Sequence, residues 1–153
     1  MEKLLIRAIK ALSFVLILMI MTIMSLTVQA NAAPNAGEVT ALALVNEQRI
    51  LHGLQPLYFE EKLDAAADVR VREVSAIFSH TRPDGSQWWT ADPELLFGEN
   101  LAEGYNSPED VVAAWMASPS HAENILKADF NSCAIKSYVT AAGKCIWVQE
   151  FGK

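Results

Sequence analysis

Residues 115–126, Trp115-Met116-Ala117-Ser118-Pro119-Ser120-His121-Ala122-Glu123-Asn124-Ile125-Leu126, end one helix and start another within a few positions. Ser118 before Pro119 is a helix start with a mechanism: a hydroxyl can cap, and proline at the first helical position loses no hydrogen bond. The predicted short helix begins at Pro119, carries Asn124 to Leu126, and holds His121 in its first turn. The positive end of the macrodipole disfavours an imidazolium there. Upstream, Ser107-Pro108-Glu109-Asp110 uses the same device with two acids at the positive end. Val111, Val112, Trp115 and Met116 give that helix an apolar stripe, so Trp115 is expected in the core.

Further out, the periodicity predicts a helix over Glu38–Leu51, with Ala41, Val39, Leu42 and Val45 on one stripe. Asn35 with Glu38 starts it and Gly53 stops it. His52 sits at that end, where the helix dipole favours positive charge. A second helix is predicted over Glu60–Phe78, with Leu63, Ala66, Ala67, Arg70, Val74 and Ile77 at helical spacing. Thr81 to Pro93 reads as irregular, turned by Pro83-Asp84-Gly85. Trp88 and Trp89 follow as loop-packing anchors, one pointing inward when the other points out. Two strands, Cys133–Thr140 and Lys144–Phe151, are joined at Ala141-Ala142-Gly143.

Residues 1–32 read as an export segment. Lys3, Arg7 and Lys10 form a basic start, Ala11 to Val28 carries no charge, and small residues surround Ala30-Asn31-Ala32. The apolar run approaches the length needed to cross a hydrocarbon core of ~30 Å, so an uncleaved membrane anchor is the alternative. Residues 33–153 form the single remaining domain. The whole chain has a formal net charge of −6, and removing the basic leader makes the domain more acidic still. That balance argues against nucleic-acid binding.

Only two cysteines occur, Cys133 and Cys145. Export permits a disulfide between them. A tight hairpin turning at Ala141-Ala142-Gly143, however, pairs Cys133 with Phe151 and Cys145 with Val139. Those positions are far beyond disulfide reach. A bridge would need a longer, irregular connection; the other reading is two small buried hydrophobes.

Three phrases hold the candidate chemistry: Phe78-Ser79-His80-Thr81-Arg82, Gly98-Glu99-Asn100-Leu101-Ala102, and the stretch around His121. His80 falls just past a long helix, and Gly98 before Glu99 permits a sharp turn or a close approach. Two imidazoles and one carboxylate could hold a Zn²⁺-like divalent cation with a position open for water. Without metal, the same trio could hydrogen-bond a polar or peptide-like ligand, or simply brace the loops.

With Leu44-Val45-Asn46-Glu47-Gln48-Arg49 and Trp147-Val148-Gln149-Glu150-Phe151-Gly152, these phrases resemble the CAP superfamily over residues 38–152. That superfamily comprises cysteine-rich secretory, antigen 5 and pathogenesis-related proteins; the resemblance is strongest to its bacterial SCP-like extracellular branch. It implies an α+β fold, a three-layer α-β-α sandwich around a small central antiparallel sheet. It also implies a cleft in which His80, Glu99 and His121 occupy family positions as candidate metal or catalytic residues. The second family acid falls at Ser118, which removes one charge, and Asn124 matches a structural asparagine. The implied function is that of a secreted monomer binding an extracellular lipid, peptide or glycan. The alternative is a metal-assisted or Glu99-dependent, peptidase-like hydrolase.

Overall fold

The computed structural model describes residues 33–153; the export-segment reading of residues 1–32 lies outside the described residues. The first helix, α1 (Ala36–Leu51), opens on a capping box. The Asn35 side chain accepts from the Glu38 amide at 3.0 Å, and the Glu38 carboxylate accepts from the Asn35 amide at 2.9 Å. Two orphan donors of the helix start are thereby satisfied. Gly53, at φ 76°, takes the left-handed turn that ends it.

A short strand, β1 (Tyr58–Phe59), leads into α2 (Glu61–Ala76). A 3₁₀ turn at Trp88–Ala91, strand β2 (Gly98–Glu103), helices α3 (Pro108–Ala117) and α4 (Pro119–Ile125), and strands β3 (Ser132–Val139) and β4 (Cys145–Gly152) follow. The sheet order is β1-β3-β4-β2. Its three longer strands are antiparallel, and β1 adds a two-residue parallel pairing at the edge of β3.

Helices cover both faces of this sheet. On one, Val71 and Val74 of α2 pack with Leu101, Ile146 and Val148, and Leu63, Ala66 and Ala67 pack with Ala134. On the other, Ala41, Val45, Val111, Val112, Trp115 and Ile125 meet Cys133, Ile135, Trp147 and Phe151. The expected α-β-α sandwich is present. Side chains alternate across a strand, so β2 directs Glu99 and Leu101 toward α2, and Asn100 and Ala102 toward α1 and α3.

The motif around Arg49 has a mechanical explanation. Its guanidinium is 1% exposed and faces four backbone carbonyls, those of Gln55 at 2.8 Å, Ile125 at 2.7 Å, Lys127 at 3.0 Å and Phe130 at 3.0 Å. It fastens α1 to the chain leaving α4. Asn46 clamps Leu57 through both amide groups, at 2.7 and 2.9 Å.

Several expectations are corrected. β1 and β2 were not anticipated as strands. Gly98 lies within β2 and serves a close approach: a Cβ there would come within 2.9 Å of the Phe130 ring. α2 stops at Ala76, so Ile77 turns extended and is exposed instead of completing the buried stripe. Ser118 occupies the position before α4, but its hydroxyl meets that of Ser120 at 3.4 Å and makes no capping bond. Ser107 does cap α3, accepting from the Asp110 amide at 3.1 Å.

Trp88 and Trp89 meet edge to face, the first packed against the Leu63 cluster and the second exposed. The tight-hairpin register is realised, with Cys133 opposite Phe151 and Val139 opposite Cys145. The Cys133–Cys145 disulfide is accordingly not formed, and both thiols are free and buried. Burial pushes the Cys133 thiol up to about 12.

Trp115 is 1% exposed at the centre of the α1/α3 layer. Trp115→Ala is expected to cost about 3–5 kcal/mol, the usual loss for a truncated core aromatic. A denaturant midpoint within error of wild type would show that the pocket does not depend on this ring.

Candidate functional site

Glu99 stands on β2 with its side chain wholly buried. Arg70, from the middle of α2 and equally buried, grips it as a fork: Nε to Oε2 at 2.7 Å and Nη2 to Oε1 at 3.2 Å. His80 closes the other side, Nδ1 to Oε1 at 2.7 Å. Burial raises the Glu99 carboxyl, but the hydrogen bonds from His80 and Arg70 outweigh it and hold the group below the usual carboxylate range. Glu99 is therefore ionised, and the His80 Nδ1–H donates to it. More than half of the His80 side chain is exposed, so Nε2 is the ring nitrogen offered to an incoming molecule.

The same guanidinium reaches further. Arg70 Nη2 donates to the Ser79 carbonyl at 3.0 Å and Nη1 to Glu73 at 2.6 Å. Both the backbone before His80 and the carboxylate under its ring thus depend on one side chain. His121, in the first turn of α4, has its imidazole pKa lowered by burial first and then by His80, so its charged form is disfavoured by burial rather than by the helix dipole invoked from the sequence. Its carbonyl receives the Asn100 amide at 3.1 Å, and Asn100 also joins Gln149 at 3.0 Å. Asn124 donates to Asn100 at 2.9 Å and to the Glu99 carbonyl at 3.3 Å. These amides fasten α4, and with it His121, to the β2 edge.

The geometry brings His80 and Glu99 into contact, and holds the helix that carries His121 against the β2 edge that carries Glu99. It changes the part Glu99 can take. Both carboxylate oxygens face Arg70 or His80, and none of the side chain is open to solvent. What remains toward the outside is two imidazoles, with Ser118 where a second acid would stand. Among the described residues, no group of three or more His, Cys, Asp or Glu could hold a metal ion. As placed, Glu99 turns its oxygens to Arg70 and His80 rather than to an open coordination position. Glu99 is an orienting partner of His80, the place a carboxylate takes behind a ligating or proton-accepting imidazole.

Sequence reading missed two members of this cluster. Arg70 lay on a stripe read as plain core, where a guanidinium among alanines and valines was the available signal. Glu150 is fully buried and sits directly opposite Glu99 in the β2–β4 register. No donor among the described residues reaches either of its oxygens, and its neighbour is the Glu99 carboxylate. Burial first, and then the charge of Glu99, push the Glu150 carboxyl well up. Two facing carboxyls with one fully engaged guanidinium can hold only one negative charge. Burial and the facing carboxylate therefore favour the protonated form of Glu150.

With that geometry established, comparison with known proteins assigns the class. The chain matches the profile of the Cysteine-rich secretory protein family over residues 42–151 and belongs to that family. It is 32% identical over 138 residues to the uncharacterized protein YkwD of Bacillus subtilis (strain 168), aligning 82% of its own length. It spans 50% of that relative.

Among solved structures, it is similar to an outer surface protein of Borrelia burgdorferi, with TM-score 0.69 and 23% identity, covering 80% of this chain and 96% of that one. It is also similar to an extracellular protein containing a SCP domain from Bacillus anthracis str. Ames, with TM-score 0.68 and 18% identity, over 80% of this chain and 45% of the other. Both likenesses establish the shared fold.

The raised Glu150 carboxyl has a pH signature. Its contribution to stability is full below the unfolded value of about 4.3 and is lost as pH rises toward the folded value. Glu150→Gln keeps shape and a donor while removing that dependence. Urea unfolding at about pH 5 and about pH 8 is expected to show the variant gaining on wild type as pH rises. Parallel pH profiles would mean that Glu150 is ionised in the folded protein.

Proposed function

We propose that this protein is an exported binding domain that acts outside the cell, presenting the imidazoles of His80 and His121 to a polar group of a peptide or glycan ligand. The observation that carries this reading is the Arg70–Glu99–His80 arrangement. A buried, ionised carboxylate fixes one imidazole tautomer and directs Nε2 outward as an acceptor. The leader-like residues 1–32 support export. So do relatives described as extracellular and outer surface proteins. No helix among the described residues is long and apolar enough to cross a membrane.

Binding is favoured over hydrolysis because of where Glu99 sits. A general base must reach its water and hold a proton affinity near the working pH. Glu99 is enclosed, paired with a guanidinium and lowered. Neither a resident Zn²⁺ nor an enzymatic step is needed for two oriented imidazoles to recognise hydroxyl or amide donors.

The purified protein and a His80→Ala/His121→Ala variant are to be compared against purified cell-wall glycan, short peptides and Zn²⁺ alone. The expected result is saturable glycan or peptide binding by wild type, lost in the variant, without turnover and without stoichiometric Zn²⁺. Stoichiometric Zn²⁺ binding that disappears with both histidines would restore the metal reading. Peptide turnover abolished by Glu99→Gln would establish the hydrolase.

A further inference from the structure

We propose that Arg82 is a positioning residue for His80, acting through Glu73 and Arg70 and tying the loop of residues 81–90 to the imidazole. The proposal rests on the reading of His80 and His121 as the binding groups and adds how that site is held and what can disturb it.

Arg82 Nε and Nη2 embrace the Glu73 carboxylate, at 3.1 Å to each oxygen from Nε and 2.8 Å from Nη2. Glu73 shares Oε2 with Arg70 Nη1 at 2.6 Å, and Arg70 passes the connection to Glu99 and so to His80. The result is an alternating ladder, Arg82–Glu73–Arg70–Glu99–His80, anchored on α2 and β2. Both of its ends lie in one short stretch of chain, since His80 and Arg82 are two residues apart and both turn toward the ladder. The backbone between them is tied as well: Arg70 holds the Ser79 carbonyl at 3.0 Å, and the Thr81 amide meets the Ser79 hydroxyl at 2.9 Å.

Arg82 also organises the loop. Its amide bonds to the Ser86 carbonyl at 2.9 Å, its carbonyl receives the Gly85 amide at 2.9 Å, and Nη1 reaches the Thr90 hydroxyl at 3.2 Å. Thr90 meets Ser86, which meets Asp84. A molecule that touches the loop near the exposed Trp89 therefore presses on the guanidinium that braces His80.

Each link uses chemistry that a simpler residue cannot supply. A planar fork serves two oxygens of one carboxylate at once, whereas an ammonium is a point charge. Without Arg82, Glu73 keeps Arg70 as its cation, and the pull on Arg70 Nη1 loosens the fork on Glu99 and the hold on Ser79. The residues either side of His80 lose their fixed points together.

The test uses ligand-free full-length protein, so its result is independent of whether a glycan or peptide binds. Long-range ¹H–¹⁵N spectra report which His80 ring nitrogen carries the proton. Wild type is expected to show a single Nδ1–H form. Arg82→Gln and Glu73→Gln should each lose that single form in favour of a mixture, and the double variant should go no further than either alone, the mark of a shared route. Arg82→Lys, which keeps charge but not the fork, should fall between.

Arg72→Gln is the control: it removes the same charge from an exposed α2 pair with Asp68 and lies off the ladder. It should leave His80 unchanged. An unaltered Nδ1–H signature in folded Arg82→Gln, or in Arg82→Lys and Glu73→Gln should the first fail to fold, overturns the proposal. So does an equal loss in Arg72→Gln. Failure of the binding reading would appear instead as ligand affinity indifferent to His80 and His121, with the tautomer signature intact.

Discussion

One guanidinium organises this molecule's polar interior. Arg70 leaves the buried face of α2, is itself fully buried, and divides its donors among Glu99, Glu73 and the Ser79 carbonyl. Helix, sheet and loop meet there. Deleting one partner of such a pair typically costs about 3–5 kcal/mol, because a charge is left without compensation inside the protein. The same economy explains the protonation pattern: one cation can neutralise Glu99 but leaves nothing for Glu150, which must carry its own proton. A surface imidazole thus inherits its orientation from the fold's interior.

Much of this was legible in the sequence wherever local chemistry decides structure. Asn35 and Glu38 form the capping box that their spacing implied, Ser107-Pro108 starts a helix, and the Ala141-Ala142-Gly143 turn fixes the hairpin register. Strand β2 was hidden because Gly98, Glu99 and Asn100 are poor strand formers by composition. They lie in a strand because Phe130 packs against the glycine, Arg70 neutralises the acid, and Gln149 and Asn124 satisfy the amide. Those partners lie far away in sequence. The facing of Glu99 and Glu150 is likewise a product of register between distant strands, invisible to any pattern of neighbours.

The sheet's two borders are closed by side chains rather than by more strands. On the β2 side, Asn124 and Trp115 reach the carbonyls of Glu99 and Leu101, at 3.3 and 3.4 Å. On the β3 side, beyond the short β1 pairing, Glu38 accepts the Ser137 amide at 2.7 Å. Unpaired edge groups invite other strands, and covering them suppresses that pairing. Glu38 serves the start of α1 and the sheet border with one carboxylate, so the helix cap and the strand edge are a single joint. Asn124 similarly serves the border and the placement of His121.

The two unbridged cysteines give the molecule an internal clock. Cys133 is sealed within the α1/α3 layer, with its thiolate suppressed by burial. A thiol reagent can attack it only when the β3–β4 hairpin parts from the helices, because the reactive species needs both solvent and ionisation. Alkylation kinetics in native buffer therefore time the opening of the sandwich without any denaturant. Reductants leave that timing untouched, since no cross-link holds the layers together.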